Sequence, residues 1–371
     1  MNKRSKKLVI FIPFIGGGGV EKNLFIISNY LSKKLSKINI CTTSIKEKNN
    51  FNKKINFLTP TRKIPENMNL KLRYLFSLYT LFKFLSKNKD SVVFSFQANI
   101  YCIILCKLLN IRIIIRSNAS PKGWYKNSFK KLIYKFFYCL ADTIIVNSID
   151  FKKEMDFLFG KKTNCILNPL NLKEIQKKSL KGKKEPFFQS SNKCLKLLNV
   201  GRLTEQKDQI TLLKAVNLLK NRINFKLLIV GRGMEKNKLK EFIKTNKLHK
   251  CVKIINFTKN PFGYFKQSDL FVLTSRFEGL PNVLLEAAAL KKFIISTNCP
   301  TGPREILLNN KGGEIVKVGN YKELATKILY YKKNKKKLKK KIDYLYNKLY
   351  RYDFDQNLNK YFLLIRKFVF E

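Results

Sequence analysis

Short apolar runs of strand length alternate with longer amphipathic patterns along most of the sequence. Near the start, residues 8–12 predict a buried strand, four consecutive glycines at residues 16–19 predict a flexible loop, and residues 20–35 predict a helix. Further strand-like runs, separated by helical patterns, lie at residues 91–96, 111–115 and 143–146. This alternation predicts a parallel sheet that is covered by helices.

A polar, lysine-rich stretch interrupts the pattern near the middle of the chain. An Asn-Pro step closes the first half, and residues 171–193 predict a linker. The strand-like runs of the second half lie at residues 195–200, 225–230, 252–255, 270–274 and 293–296. We therefore predict an α/β chain of two Rossmann-like parallel-sheet domains, at residues 1–170 and 194–350, with a cleft between them. A helix at residues 351–371 is expected to follow the second domain.

Positive charge is the most unusual property of the composition. The chain of 371 residues has 76 Lys and Arg against 24 Asp and Glu, which gives a net charge of +52. Such an excess suggests a polyanionic partner, but it divides almost evenly between the two halves of the chain. A compositional bias of the whole proteome explains the charge equally well, so both interpretations stay open. The hydrophobic content of 45% excludes wholesale disorder.

Cysteine and histidine give little support to metal or nucleophilic chemistry. The eight cysteines contain no C-x-x-C pair, and the nearest two, Cys102 and Cys106, have no histidine near them in the sequence. The single histidine, His249, lies among lysines and is expected at the surface rather than in a catalytic pair. No apolar run reaches the roughly 18 residues of a spanning helix, and residues 8–12 are not followed by a cleavage pattern. We therefore expect a cytoplasmic protein in a reducing compartment.

The segment from Ser275 to Glu286 carries the strongest candidate chemistry. It follows a strand-like run, contains a Gly-Leu-Pro-Asn turn and leads into good helix formers. The N–H groups at the start of such a helix favour an anion. Glu278 lies just before the helix and Glu286 inside it, so the two carboxylates could contact opposite ends of a phosphate-containing ligand. On spacing alone, a solvated helix face explains the two glutamates better.

Glycines and cations after other predicted strands offer weaker candidates. Residues 16–19 let the backbone approach a phosphate, but Glu21 occupies the last glycine position of a dinucleotide-binding motif. The Gly-Arg-Gly sequence at residues 231–233 is incomplete in the same way. Arg202 and Lys207 follow the first strand of the second half and could clamp a diphosphate. Two such cations are also expected by chance in so basic a chain.

Six landmarks follow one another in a fixed order along the chain. They are Gly18-Gly19-Val20-Glu21, Gly201-Arg202-Leu203 with Lys207, Val230-Gly231-Arg232-Gly233, Ser268-Asp269, the segment Phe277 to Glu286, and Pro303-Arg304-Glu305. This order resembles the family 4 retaining glycosyltransferases of the GT-B fold. Residues 299–307 further resemble a subgroup that adds hexoses or N-acetylhexosamines to bacterial surface glycans and lipid-linked oligosaccharides. The resemblance implies that the C-terminal helix packs back on the first domain.

The resemblance also implies a role for each matching residue. Arg202 and Lys207 would bind the donor diphosphate and stabilise the leaving nucleoside diphosphate, and Glu278 would hold hydroxyls of the transferred sugar. Glu286 would bind the ribose hydroxyls. Backbone contacts to the phosphates would come from Gly279, Leu280, Asn282 and Val283, and contacts to the phosphates or the acceptor from Gly18 and Gly19. The expected donor is a UDP- or GDP-sugar, and the expected acceptor is a glycan or a polyprenyl-linked oligosaccharide.

The first half departs from the family pattern near its fourth strand. Where many relatives have a histidine, this chain has Phe96-Gln97-Ala98-Asn99, and neither Gln97 nor Asn99 is a base. That sequence fits a front-face mechanism in which the leaving phosphate takes the acceptor's proton. Arg116 ends a later strand, and we predict that it contacts the acceptor or the donor. A salt bridge inside the domain explains Arg116 equally well.

Metal and cofactor requirements can also be predicted from the motifs. The chain has no D-x-D motif suited to Mg²⁺ near the candidate residues, so cationic side chains and helix N-termini would neutralise the phosphates. We therefore predict that activity requires no divalent metal and no cofactor.

Two basic, aromatic helical segments can be interpreted in more than one way. Residues 70–87 and 129–140 combine leucine and phenylalanine with lysine, which suits the anionic inner face of the cytoplasmic membrane. Core packing with a lysine-rich solvent face explains both segments equally well. A nucleic-acid-binding protein is the rival to an enzyme, but the even spread of charge and the donor motifs favour an enzyme without a nucleic-acid partner. An enzyme of the same fold with a soluble acceptor is the nearer alternative.

Overall fold

The computed structural model describes residues 5–61, 64–65, 68–118, 128–189 and 194–371. The chain forms two compact units, of which the first combines Met1–Pro169 with Phe354–Glu371 and the second comprises Leu170–Asp353. Each unit is a parallel sheet covered by helices, and this confirms the predicted pair of Rossmann-like domains.

The sheet of the first unit has seven strands among the described residues, in the order β3-β2-β1-β4-β5-β6-β7. All neighbouring strands are parallel. The strands are β1 (Lys7–Phe11), β2 (Ile38–Cys41), β3 (Asn56–Leu58), β4 (Ser91–Ser95), β5 (Arg112–Arg116), β6 (Thr143–Val146) and β7 (Asn164–Cys165).

Helices cover both faces of this sheet. They are α1 (Gly19–Leu31), α2 (Leu70–Lys87), α3 (Asn99–Leu108), α4 (Ser128–Leu140), α5 (Ile149–Phe159) and, from the end of the chain, α15 (Phe354–Phe370). Along β1, Leu8 and Ile10 face the core formed with α1 and α15. Val9 and Phe11 face the core formed with α2, α3, α4 and α5. Because both faces of β1 are buried, this strand is a continuous apolar run. The shared core of β1 and α15 confirms the predicted packing of the C-terminal helix on the first unit.

The second unit has a six-stranded parallel sheet in the order β10-β9-β8-β11-β12-β13. Its strands are β8 (Leu195–Val200), β9 (Phe225–Val230), β10 (Val252–Ile255), β11 (Leu270–Leu273), β12 (Phe293–Thr297) and β13 (Glu314–Val316). Its helices are α6 (Leu172–Leu180), α7 (Pro186–Gln189), α8 (Gln209–Leu219), α9 (Lys236–Thr245), α10 (Phe262–Gln267), α11 (Asn282–Ala289), α12 (Pro303–Ile306), α13 (Tyr321–Lys333) and α14 (Lys335–Asn347). Short 3-10 helices lie at Lys48–Asn50, Glu205–Lys207 and Leu349–Tyr352.

The segment expected to be a linker, residues 171–193, contains α6 and α7 up to residue 189. Helix α6 packs against α10, and a Cβ added to Gly182 would lie 2.4 Å from the Cα of Gly263. Ile175 and Phe188 are the buried apolar anchors of this segment. Lysines and other polar residues lie near both anchors in the sequence, which is why composition alone predicted a linker.

No helix in the described ranges combines the length and the apolar character that a membrane crossing requires.

Candidate active site

Two loops of the second unit bring the strongest candidate residues together. Strands β8 and β11 are neighbours and run parallel, so their carboxyl ends meet at the same edge of the sheet. Residues 201–208 follow β8, and residues 274–281 lead from β11 into α11. In a parallel α/β sheet this edge is where ligands usually bind.

The two loops meet in an ion pair between Lys207 and Glu278. Lys207 Nζ lies 2.5 Å from Glu278 Oε1, and the two side chains are only 14% and 8% exposed. Ser275 Oγ donates a hydrogen bond of 2.6 Å to the same carboxylate oxygen. No group of the described residues donates to the second oxygen, Oε2. The carboxylate is therefore fixed through one oxygen while the other stays available to a ligand.

The position of the Glu278 backbone is fixed by the loop after β12. The Glu278 N–H donates to the carbonyl of Pro300 over 2.6 Å, and the Thr301 N–H donates back to the Glu278 carbonyl over 3.1 Å. Thr301 Oγ1 also donates to the Gly279 carbonyl over 3.1 Å. Gly302 has a φ of +92°, and a Cβ there would lie 2.2 Å from the Gly279 carbonyl oxygen. Only glycine therefore fits beside this turn.

Gln206 connects the two loops and orients Arg202. Its side-chain amide donates to the Phe277 carbonyl over 2.9 Å, and the backbone carbonyl of Gln206 accepts from the Arg276 N–H over 2.8 Å. Arg202 Nη2 donates to Gln206 Oε1 over 3.0 Å while the arginine itself stays exposed. Arg202 and Lys207 therefore lie on the same loop, with the exposed guanidinium accessible to a ligand.

Glu286 lies inside α11, close to its start. The helix begins at Asn282, and Pro281 before it has no side chain that could accept from the first N–H groups. Counted over the whole residue, Glu286 is 8% exposed and Glu278 is 6% exposed. Such burial is unusual for glutamates of a solvated helix face. Gly279, Leu280 and Val283 complete the turn and the first helical residues, where the resemblance places backbone contacts to phosphates.

The Gly-Arg-Gly sequence at residues 231–233 supports the neighbouring loop. A Cβ on Gly231 would lie 1.9 Å from the Gly201 carbonyl oxygen, and a Cβ on Gly233 would lie 2.1 Å from that of Leu203. The two glycines therefore allow the loop after β9 to pack against the loop that carries Arg202.

Cys299 is a buried thiol beside Glu278. Burial, and to a smaller extent the negative charge of Glu278, raise the pKa of the Cys299 thiol to about 12. The thiol is therefore protonated at neutral pH and does not act as a nucleophile.

The glycine loop of the first unit is folded around an internal carboxylate. The Gly16 N–H donates to Glu21 Oε1 over 3.2 Å, and the Gly18 N–H donates to Glu21 Oε2 over 2.9 Å. Gly18 is the N-cap residue and Gly19 the first residue of α1. Sequence reasoning treated Glu21 as a break in the glycine motif and as part of a family landmark but gave it no contact, whereas this side chain accepts from the amides of Gly16 and Gly18.

Arg116 is buried in the first unit, and its guanidinium donates hydrogen bonds to uncharged side chains. The side chain has no exposed surface. Its Nε donates to the Tyr361 hydroxyl over 3.0 Å and its Nη2 to Asn168 Oδ1 over 2.7 Å, while Nη1 donates to Asn118 Oδ1. No acidic side chain of the described residues pairs with it. Arg116 thus connects the end of β5 to α15 within the first unit.

Asn99 lies in the stretch where many relatives of the family have a histidine, and its side chain also forms hydrogen bonds inside the first unit. Its Oδ1 accepts from Ser95 Oγ over 2.8 Å, and its Nδ2 donates to the Arg116 carbonyl over 3.2 Å and to the Tyr138 hydroxyl over 3.3 Å. Gln97 is half-buried beside it. These contacts stabilise the carboxyl edge of the first sheet.

Three residues that sequence reasoning missed complete the site: Ser275, Gln206 and Thr301. Each of them donates a hydrogen bond to the loop of residues 274–281. The bonds from Gln206 to Phe277 and from Thr301 to Gly279 join residues that are far apart in the sequence. Thr301 lies in the stretch 299–307, whose resemblance to relatives was the one available signal. Within the described ranges, no three His, Cys, Asp or Glu side chains are grouped so that they could hold a metal ion.

Comparison with known proteins gives one family. The sequence profile described as glycosyl transferases group 1 matches residues 181–348. An undecaprenol-dependent 4-alpha-N-acetylgalactosaminyltransferase of Campylobacter jejuni, named for an acceptor with N-acetylgalactosamine and N,N'-diacetylbacillosamine on diphospho-undecaprenol, is 30% identical over 338 residues, 85% of this chain and 87% of the relative. An uncharacterised glycosyltransferase of Methanocaldococcus jannaschii is 35% identical over 247 residues, and the match spans 62% of this chain and 61% of that relative.

Solved structures have the same fold. Anabaena HepE in complex with UDP-glucose superposes with a TM-score of 0.79 at 15% identity, over 98% of this chain and all 100% of that one. A glycosyltransferase of Rickettsia africae superposes with a TM-score of 0.77 at 19% identity, over 98% of both chains. At these identities the likeness establishes the two-domain GT-B fold.

Proposed function

The chain belongs to the group 1 glycosyl transferases, and we propose that it transfers a hexose or N-acetylhexosamine from a nucleotide sugar, with retention, to a glycan on a polyprenyl diphosphate. The observation that carries this proposal is the buried Lys207–Glu278 pair, with a contact of 2.5 Å, at the carboxyl edge of the second sheet. It combines a cation for a diphosphate with a carboxylate for sugar hydroxyls in one position.

The cations of this site would act on the leaving group. When the donor binds, its diphosphate would take Lys207 from Glu278, and the exposed Arg202 would bind a second pair of oxygens. The bond between the anomeric carbon and the diphosphate oxygen then breaks, and negative charge grows on the nucleoside diphosphate. Two cations fixed near those oxygens stabilise this charge most at the transition state.

The carboxylates would orient the two ends of the donor. Glu278, fixed by Ser275 through Oε1, would accept hydrogen bonds from the sugar hydroxyls on Oε2. Glu286, one turn into α11, would hold the ribose hydroxyls, while the N–H groups of Gly279, Leu280, Asn282 and Val283 would contact the phosphates. Such orientation favours attack at the anomeric carbon over non-productive binding.

Retention is proposed through a front-face transfer. The acceptor oxygen bonds to the anomeric carbon on the face that the diphosphate leaves, and the acceptor's proton passes to the leaving phosphate oxygen. In the described part of the second unit, the site supplies no imidazole, and its thiol, Cys299, is protonated. The leaving phosphate is therefore the proposed base.

The acceptor is proposed from the named relative. That Campylobacter protein acts on a diphospho-undecaprenol-linked glycan, and its similarity extends over 85% of this chain. We propose a role in surface polysaccharide or glycoprotein glycan synthesis at the inner face of the cytoplasmic membrane. A UDP-sugar is the first donor to test, because a protein of the same fold binds UDP-glucose.

The test combines donor binding with transfer. UDP-sugars are expected to raise the unfolding temperature, since a ligand stabilises the folded state by mass action. Transfer of labelled sugar to a polyprenyl-diphosphate glycan should give a product with the donor's anomeric configuration by NMR. Lys207→Ala should abolish transfer, whereas Lys214→Ala, which removes an exposed lysine on α8, should not. Failure of every UDP- and GDP-sugar to bind would contradict the proposal.

Metal removal gives a second test of the same site. Because Arg202 and Lys207 are proposed to neutralise the diphosphate, transfer should continue in excess EDTA at an unchanged rate. Complete loss of activity that Mn²⁺ restores would show that a metal, and not these side chains, neutralises the leaving group.

A further inference from the structure

Helix α2 of the first unit is apolar on its outer side. Leu81 and Leu85 point into the core, and Arg73 is also buried, where it stacks 4.6 Å from the ring centroid of Phe14. The exposed side carries Leu72, Leu75, Phe76, Tyr79 and Phe82. These positions recur at intervals of three and four residues, so they form one stripe along the helix. A solvent-facing helix normally carries polar residues at such positions.

Helices α3 and α4 continue the same surface. Helix α3 packs against both α2 and α4 and exposes Tyr101 and Leu108, the latter by 80%. Helix α4 exposes Phe129, Leu132, Phe136 and Leu140, again at helical spacing. The buried residues of all three helices belong to one core on one face of the sheet. Their outer stripes therefore point away from that face, to the same side of the unit.

The helices of this surface carry charge of one sign, although Lys107 of α3 pairs with Asp142, just beyond α4, over 3.0 Å. The segments of α2, α3 and α4 contain no aspartate or glutamate. Lysines lie among the apolar residues, at Lys71, Lys83, Lys87, Lys107, Lys130, Lys131 and Lys135. Lysine ammonium groups reach several ångströms beyond the backbone, so they contact a charged layer while apolar side chains insert beneath it.

An ordinary lysine-rich helix of the same chain looks different. Helix α14 exposes mainly lysines, at positions 335, 336, 337, 339 and 340, with Leu338 and Leu345 buried. The lysine composition of the chain thus accounts for α14 but not for the apolar outer stripes of α2 and α4. A contiguous exposed apolar patch marks a binding surface.

We infer that the outer surface of α2, α3 and α4 docks on a leaflet of anionic phospholipid. Leucine and phenylalanine side chains would enter the acyl boundary, the tyrosines would lie at the headgroup level, and the lysines would contact the phosphates. Its purpose rests on the proposed function, because a polyprenyl-linked acceptor lies in such a leaflet. The inference itself rests on the exposure and charge of helices in the first unit, whereas the proposed donor residues Lys207 and Glu278 belong to the second unit.

Vesicle co-sedimentation tests the docking surface with the whole chain. The protein is expected to sediment with vesicles that contain phosphatidylglycerol and to stay in solution with phosphatidylcholine alone. The triple variant Leu72→Ser, Leu75→Ser, Tyr79→Ser should lower the bound fraction about tenfold, because those side chains supply buried apolar area. The control is Leu180→Ser, Leu218→Ser, Tyr350→Ser, which removes the same residue types from exposed positions of the second unit.

Several outcomes would overturn the inference. The wild-type protein could remain in solution with anionic vesicles, or the control variant could lose binding as much as the α2 variant. A dimer in light scattering that only the α2 variant abolishes would assign the surface to a second copy of the chain. Unchanged circular dichroism and donor-induced thermal shift in both variants would show that each is folded.

The same variants separate docking from catalysis. The sedimentation assay needs neither donor nor acceptor, so its result does not depend on the proposed reaction. If both proposals hold, the α2 variant loses transfer to a polyprenyl-linked acceptor in vesicles but keeps transfer to a short-chain, water-soluble analogue. Equal loss with both acceptors would contradict a docking role for this surface.

Discussion

Lys207 in the second unit and Arg116 in the first unit are both cations near the carboxyl edge of a parallel sheet, but they are used differently. Lys207 pairs with a carboxylate that keeps one oxygen available. Arg116 is fully buried and donates to Tyr361, Asn168 and Asn118. A cation at a sheet edge thus indicates a ligand site only where the cation or its partner keeps a hydrogen-bonding group available to the ligand.

The anion-binding loops of the two units differ in the same way. In the first unit, Glu21 accepts from the amides of Gly16 and Gly18 over 3.2 Å and 2.9 Å, so an internal carboxylate occupies the loop. In the second unit, Pro281 precedes α11 without a side-chain cap. Two amides of the first loop are therefore bound by a carboxylate of the same chain, whereas the start of α11 has no side-chain cap. Three substitutions test this contrast.

Glu278→Ala should have the largest effect. It removes the sugar contact and leaves Lys207 without its partner, so we expect turnover to fall by about a hundredfold or more, with a smaller change in the donor KM. Steady-state kinetics with varied donor measures both constants. Glu205→Ala is the control, because that carboxylate lies on the neighbouring loop that carries Lys207, its side chain is 80% exposed and it is 3.8 Å from Arg276. A change confined to KM would contradict a role of Glu278 in turnover.

Arg116→Ala should act on stability instead of donor chemistry. The substitution leaves a cavity and unpaired polar groups at Tyr361 and Asn168, so the free energy of unfolding should fall by about 2 to 4 kcal/mol. Urea unfolding measures this loss, and donor affinity should stay unchanged. Arg112→Ala is the control on the same strand, since Arg112 is 46% exposed and pairs at the surface with Glu371. If Arg116→Ala weakened donor binding while stability was unchanged, the contrast between the units would fail.

Glu286→Ala should have the smallest of the three effects. The loss of hydrogen bonds from ribose hydroxyls to a carboxylate should weaken donor binding about tenfold and leave turnover nearly unchanged. Calorimetric titration with the nucleoside diphosphate measures the affinity without the sugar. Glu241→Ala, on the exposed side of α9, is the control. Equal effects of Glu278→Ala and Glu286→Ala on both constants would remove the proposed division of roles.

The sequence predicted nine of the thirteen strands of the described residues and named both members of the Lys207–Glu278 pair as candidates, but it missed the short strands β2, β3, β7 and β13. Apolar runs such as residues 8–12 and 270–274 predict buried parallel strands because both of their faces must be covered. Glu278 and Lys207 became the main candidates because both belong to the ordered landmarks that resemble family 4 glycosyltransferases, whereas spacing alone favoured a solvated helix face for the glutamates. Gln206 and Ser275 were missed, because their roles depend on which loops meet, and local spacing contains no such information. Arg116 was the hardest case, since its surroundings include Tyr361, which is far away in the sequence.

Helix α15 completes a unit whose other elements are made much earlier. Its Tyr361 and Ile365 belong to the core of the first sheet, although the whole second unit separates them from β7 in the sequence. During synthesis on a ribosome, residues 1–169 therefore leave the exit tunnel with one face of their sheet covered by α1 but not by α15, and with Arg116 lacking its tyrosine partner. The second unit is contiguous from Leu170 to Asp353 and can close first. We therefore expect the order of maturation to be the reverse of the order of translation, with apolar surface of the first unit exposed until the last helix is made.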